Sequence, residues 1–214
     1  MEFGGNLVMF PATTALILVD IQNDFCPGGS LAVPEGDQIV DIVNRLAPVF
    51  RFVAATEDWH PPGHVSFKAQ GGPWPPHCVQ GSLGAELNPG LDQSGIDLIA
   101  RKGFSLDKDT FEGLEAISDE GAKLDDILKQ KDVDSIYVAG LATDYCVKAT
   151  VLDAIKKGYK VFAITDAMRA VDVEPSDGQR AIDEMRAAGA QFITADQVLG
   201  ELDEGRRTTG RTSA

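Results

Sequence analysis

Basic residues are the first shortage. Lys and Arg number 19 against 33 Asp and Glu in a chain of 214 residues, a formal charge of -14. Such a chain repels a phosphate backbone unless its cations cluster, and the basic group in GRRTTGRTSA (205–214) has no apolar neighbours to dock it. No nucleic-acid partner is expected. Cysteine is scarce as well: Cys26, Cys78 and Cys146 are odd in number and lack the close spacing of a disulfide-stapled scaffold, which points to a reducing, cytoplasmic setting. Long hydrophobic runs are missing. The opening stretch MEFGGNLVMFPATTALILVD contains only ALILV (15–19) as an apolar core, with no positive segment before it, too short for a signal peptide or a span. A membrane partner is therefore not expected either. No internal repeat is visible.

What is present is enough apolar content, 43%, to bury one core, so a single domain over 1–204 is expected, with 205–214 as a frayed tail. Short β-branched runs recur at 15–19, 51–56, 97–100, 135–140, 160–165 and 191–194 and read as strands buried on both faces. Helical spacing falls between them, as in Val147, Val151, Ala154 and Ile155 before the stop signal Lys157-Gly158, and from Pro175 through Ile182 and Met185 to Gly189. The alternation predicts an α/β fold: a mostly parallel sheet of about six strands between helical layers, α/β/α. Residues 60–95 break it, being rich in Pro, Gly, His and Trp, and a loop of that length inside a compact domain is usually functional.

Ligands of open α/β sheets bind outside the carboxyl ends of the strands. Asp20 ends the first run, Asp58 and His60 follow the second, Lys102 the third and Cys146 the fourth. Four successive strands thus deliver ionisable groups to one edge. Thr143 or Asp144 is a suitable N-cap, which places Cys146 in the first turn of a helix, where the dipole favours a thiolate. Free cysteine is equally often an inert core thiol, and the local pattern leaves both readings open. Asp20 is either a cap or a general base, and Lys102 is either a surface cation or the charge that holds Asp20 ionised. All three histidines, His60, His64 and His77, fall beside Asp58, and this mixed carboxylate and imidazole set suits one divalent ion such as zinc, iron or manganese. Phe25 and Trp74 read as core aromatics or as walls for a flat ring. Cys26 and Cys78 are taken as structural.

The blocks LVDIQNDFCPGGSLAV, ATEDWHPPGHVSF, WPPHCVQGSLGAEL, RKGF and VAGLATDYCVKATVLDA together resemble the nicotinamidases, or pyrazinamidases, of the isochorismatase-like cysteine hydrolase superfamily. The resemblance runs from about Ala15 to Leu199. It implies a catalytic triad of Asp20, Lys102 and Cys146 and metal ligands Asp58, His60 and His77. His64 is an additional candidate, because only some relatives use a histidine of this loop. It further implies an oxyanion hole from the N–H groups of Ala142 and Cys146, a cis peptide near Leu141-Ala142, ring contacts from Phe25 and Trp74, and a pocket near Leu31, Leu141 and Tyr145. The activity implied is hydrolysis of nicotinamide, and of pyrazinamide, through a cysteine thioester in NAD salvage; a homo-oligomer is compatible with it. The rivals are a superfamily member acting on another small carboxamide or carbamoyl compound, a metal-assisted hydrolase with a structural Cys146, and a non-catalytic nicotinamide-binding module. The D-x-H and WPPH blocks argue against the first of these.

Overall fold

The computed structural model describes residues 9–200 and 202, so the segment 1–8 and the tail assigned to 205–214 lie outside the described residues. Strands β1 (Thr14–Val19), β2 (Val53–Asp58), β3 (Leu98–Lys102), β4 (Ile117–Ser118), β5 (Ser135–Leu141), β6 (Lys160–Arg169) and β7 (Gln191–Ile193) form one sheet in the order β4-β3-β2-β1-β5-β6-β7. All neighbours are parallel except β3 and β4. The expected six strands are there, and β4 is a seventh. Its two residues pair antiparallel with Ala100 and Arg101, and two residues carry no periodicity to read.

β1 is buried along its whole length, and its period-2 alternation divides the interior into two cores. Leu16 and Leu18 join Val53, Tyr137 and Ile164 under α1 (Val40–Leu46), whose Val40, Val43 and Leu46 close that face with Ala195 and Val198 of the helical stretch 195–200. Ala15, Ile17 and Val19 face the other way, with Ile136, Val138 and Val161. That core is covered by α2 (Leu124–Gln130), α3 (Lys148–Lys156) and α4 (Asp177–Ala188) through Leu124, Leu128, Val151, Ala154, Ala181 and Met185. The result is the three-layer arrangement. None of the described helices is long and apolar enough to cross a membrane.

At the carboxyl edge, β1 and β5 come very close. A Cβ on Gly140, whose φ is 135°, would lie 2.1 Å from the Val19 carbonyl oxygen, so no other residue fits there. Away from that edge, Glu115 ties two elements together by accepting from Lys123 Nζ at 2.6 Å and Lys157 Nζ at 2.7 Å. These bonds hold its carboxyl at about 2, below the ordinary 4.5. A depressed carboxyl contributes stability above its unfolded pKa and loses it as pH falls toward the folded value. Glu115→Gln is therefore expected to cost about 1 kcal/mol at pH 7, this being a half-exposed network. Urea denaturation at pH 7 and at pH 3 should show the gap shrinking in acid; an equal gap at both would refute the ion-pair account.

Candidate active site

The chain runs from β1 outward through β2 to β3, then returns to the opposite side of β1 as β5. The strand order therefore reverses between β1 and β5, and at such a switch point the two carboxyl ends splay apart into a crevice. Asp20 follows β1 and Cys146 follows β5, one on each side of it. Asp58 and Lys102 are register partners at the ends of β2 and β3, which brings both to the same edge.

Asp20 leaves its strand with φ 49°, a left-handed conformation uncommon for a non-glycine residue, and its N–H donates to the Thr56 carbonyl at 3.2 Å. The Thr56 hydroxyl donates to Oδ1 of Asp20 at 2.6 Å. Oδ2 forms an ion pair with Lys102 Nζ at 2.8 Å, and Asp20 also offers an oxygen within 4.8 Å of the Cys146 sulfur. Lys102 Nζ also meets Asp58 Oδ1 in a very short contact and the Cys146 sulfur at 3.4 Å. Asp20 is fully buried and Lys102 nearly so, and Cys146 is only 5% exposed.

This burial decides the charge states. It pushes the Cys146 thiol well above its usual range, with Lys102 opposing, and raises the Asp20 carboxyl, again against Lys102. Burial acts to lower Lys102, but Asp20 and Asp58 outweigh it and keep the ammonium well above its ordinary value. Burial thus favours the protonated thiol over the thiolate. The expected helix start around Cys146 is corrected in its cap and its first turn. Cys146 sits in a five-residue π-turn, Thr143–Val147, preceding α3, with Val147 N–H donating to the Ala142 carbonyl at 3.1 Å. Neither Thr143 nor Asp144 caps it: Ala142 holds the N-cap position, and the Asp144 carboxylate accepts from Val171 and Asp172 instead. Lys102 acts on Asp20 in the expected sense, favouring the ionised carboxylate against burial.

Asp58, His60 and His77 offer ligand atoms that all lie within 4.8 Å of one another, and all three are buried. Each imidazole is fixed in one tautomer. His60 Nδ1 donates to the Gly103 carbonyl at 2.8 Å and His77 Nδ1 to the Pro75 carbonyl at 2.9 Å, which leaves both Nε2 atoms as lone-pair donors. His60 Nε2 is 3.6 Å from Asp58 Oδ2. Two imidazole nitrogens and a carboxylate oxygen fit a borderline divalent cation. His64 lies elsewhere. Its ring stacks on His60 with centroids 4.1 Å apart, Nδ1 is 2.7 Å from Ser66 Oγ, and Nε2 faces the Lys108 carbonyl at 3.3 Å. It groups with His60 and Asp109, not with Asp58 and His77.

A pocket opens over these groups. Phe25, Leu31, Trp74, Tyr145, Ala142 and Cys146 line it, as do Asp58 and His77. Trp74 meets Tyr145 edge-on at 5.1 Å, and Phe25 packs on the His77 ring at 5.7 Å. Leu141 does not line it. That side chain lies in the core, where a Cβ on Gly36 would touch its Cδ1 at 3.2 Å, while the Leu141-Ala142 peptide is cis.

Sequence reasoning missed several residues here. Val33, Phe111 and Val171 also line the pocket, from three segments without a common signal. Gln22 is fully buried and holds Asp58 at both backbone atoms: its Nε2 donates to the Asp58 carbonyl and its Oε1 accepts the Asp58 N–H, each at 2.8 Å. Asp24 accepts the Cys78 N–H at 2.7 Å and so pins the residue after His77. Gln22 carried no local signal, since the chain turns at Asp20, with the Gln22 N–H donating to the Asp20 carbonyl at 2.8 Å, and periodicity does not read through a turn.

A buried thiol, carboxylate and ammonium at a switch point, beside an apolar pocket and a cluster of one carboxylate and two imidazoles, make a candidate hydrolase site in an α/β fold. The chain belongs to the isochorismatase domain family, whose model matches residues 14–197. It is similar to the nicotinamidase of Escherichia coli, 46% identical across 84% of this chain and 94% of that one. Among solved structures it resembles an enzyme from L. infantum in complex with nicotinate (TM-score 0.81, 37% identity, 88% of this chain and 96% of the other). It also resembles the pyrazinamidase of Pyrococcus horikoshii in complex with zinc (TM-score 0.76, 42% identity, 85% and 99%).

Proposed function

We propose that this chain is a nicotinamidase that converts nicotinamide to nicotinate and ammonia, with pyrazinamide as a second substrate, and that it serves NAD salvage. The observation that carries the reading is one largely apolar pocket lined both by Cys146, which meets Lys102 and Asp20, and by Asp58 and His77, which group with His60. Phe25 and Trp74 are the ring-binding walls. Asp58, His60 and His77 would hold a divalent cation, and His64 stays outside that set because both its nitrogens are engaged elsewhere. When bound, the cation supplies Lewis acidity toward a lone-pair donor such as a pyridine nitrogen.

The reaction follows from the charge states. Asp20 takes the proton of the Cys146 thiol as the sulfur attacks the amide carbon, and the Lys102 ammonium at 3.4 Å stabilises the developing thiolate. The N–H groups of Ala142 and Cys146 hold the oxyanion, each contributing about 3 kcal/mol. Asp20 returns the proton to the departing ammonia. Asp20 then deprotonates a water that cleaves the thioester, releasing nicotinate and restoring the thiol.

The test is ammonia release from nicotinamide by purified protein of known metal content, before and after chelation. Equal amounts of ammonia and nicotinate, lost on chelation and restored by zinc, iron or manganese, are expected. Metal-loaded protein that releases no ammonia would overturn the assignment.

A further inference from the structure

Asp144 lies two residues before Cys146 and is buried, yet its carboxylate serves another segment. One oxygen accepts the Val171 N–H at 3.0 Å and the other the Asp172 N–H at 2.9 Å. Val171 is a wall of the pocket and belongs to the irregular strap at 170–176 between β6 and α4. Asp172 extends the link, its Oδ1 accepting the Gly178 N–H of α4 at 2.8 Å. The turn bearing Cys146 has its own support, since the Ala142 carbonyl accepts from both Tyr145 and Val147.

We propose that Asp144 is a positioning residue for substrate binding: its carboxylate clamps the strap and thereby holds Val171 against the ring of the bound carboxamide. The proposal rests on the nicotinamidase reading. Asp144 touches neither substrate nor the reacting atoms and acts through Val171. Its geometry requires two acceptors side by side. Asn keeps one and turns an N–H₂ group toward a backbone N–H, which releases half the clamp. A wall on a released strap samples other positions, and substrate then binds only the fraction with the wall in place. The nucleophile stays where it is, so binding suffers more than chemistry.

Steady-state kinetics on Asp144→Asn, Val171→Ala and the double variant separate the possibilities, with the alkylation rate of Cys146 by iodoacetamide as a readout of the nucleophile. Asp144→Asn should raise KM for nicotinamide about tenfold with kcat within about threefold of wild type and the alkylation rate unchanged. Val171→Ala should move KM in the same direction, and the double variant should resemble a single one, because both changes remove one wall. A fall in kcat at constant KM, or additive effects, overturns the clamp. Should Asp144→Asn fold poorly, the exposed Asp172→Ala removes the acceptor of the Gly178 N–H and cuts the next link: a raised KM supports the proposal and an unchanged KM overturns it. An inactive wild type sinks the nicotinamidase reading, whereas an active wild type with unmoved KM in these variants sinks the clamp alone.

Discussion

Replacing Cys146 by Ala is expected to cut ammonia release from nicotinamide by about 10,000-fold or more, because no other group near the pocket can form the thioester and residual catalysis must come from binding and the oxyanion donors alone. The sulfur is 3.4 Å from Lys102 Nζ, on the opposite side of the crevice from Asp20, and Ala leaves that constellation otherwise in place. The proposed metal ligands sit on other segments, β2 and the loop beyond it, so metal content should match wild type. The check is kcat together with metal analysis on the same sample. A variant that keeps turning over would make Cys146 a core thiol and move the chemistry to the metal centre.

The second large effect is expected at Asp20. Asp20→Asn removes the group that takes the thiol proton, and general-base removal typically costs about 100- to 10,000-fold. The upper end is expected here, since burial raises the thiol pKa and disfavours the thiolate unless a base takes the proton. Alkylation of Cys146 by iodoacetamide should slow in parallel, while metal content should hold because Asp58, His60 and His77 remain. The change also leaves Lys102 with one carboxylate partner, Asp58, in place of two. Disturbing a buried ion pair is destabilising, so a lower thermal midpoint is expected alongside. Wild-type kcat in Asp20→Asn would remove Asp20 from the proton path and leave it a strand-end turn residue.

Much of the fold was legible because its strands are short and buried on both faces. A strand such as β1 has to be apolar at every position, and TALILV shows it. β4 escaped because it exists only through pairing with β3, and the second half of β6, through Arg169, because the apolar run at 160–165 is interrupted by Asp166 and the stretch DAMR mixes charged and apolar residues without alternation. The ionisable groups at the strand ends were legible for the same reason, since an end is marked by the residue where the apolar run stops.

The sequence by itself determined the layered parallel sheet and the choice of residues at its carboxyl edge: Asp20, Asp58, Lys102 and Cys146 each follow their own strand, a relation local in the chain. Only the tertiary structure decided what those residues are to one another. Distances between strand ends depend on strand order and register, and the pKa of the thiol depends on the solvent removed by every segment around it, so neither is written in local spacing. A local reading leaves Cys146 open between a core thiol and a helix-start nucleophile, whereas the fold buries it beside Asp20, Lys102 and Asp58, where desolvation favours the thiol over the thiolate. In the same way Asp144 reads locally as a cap, and the fold spends its carboxylate on Val171 and Asp172, because a strap 27 residues away arrives with two unpaired N–H groups.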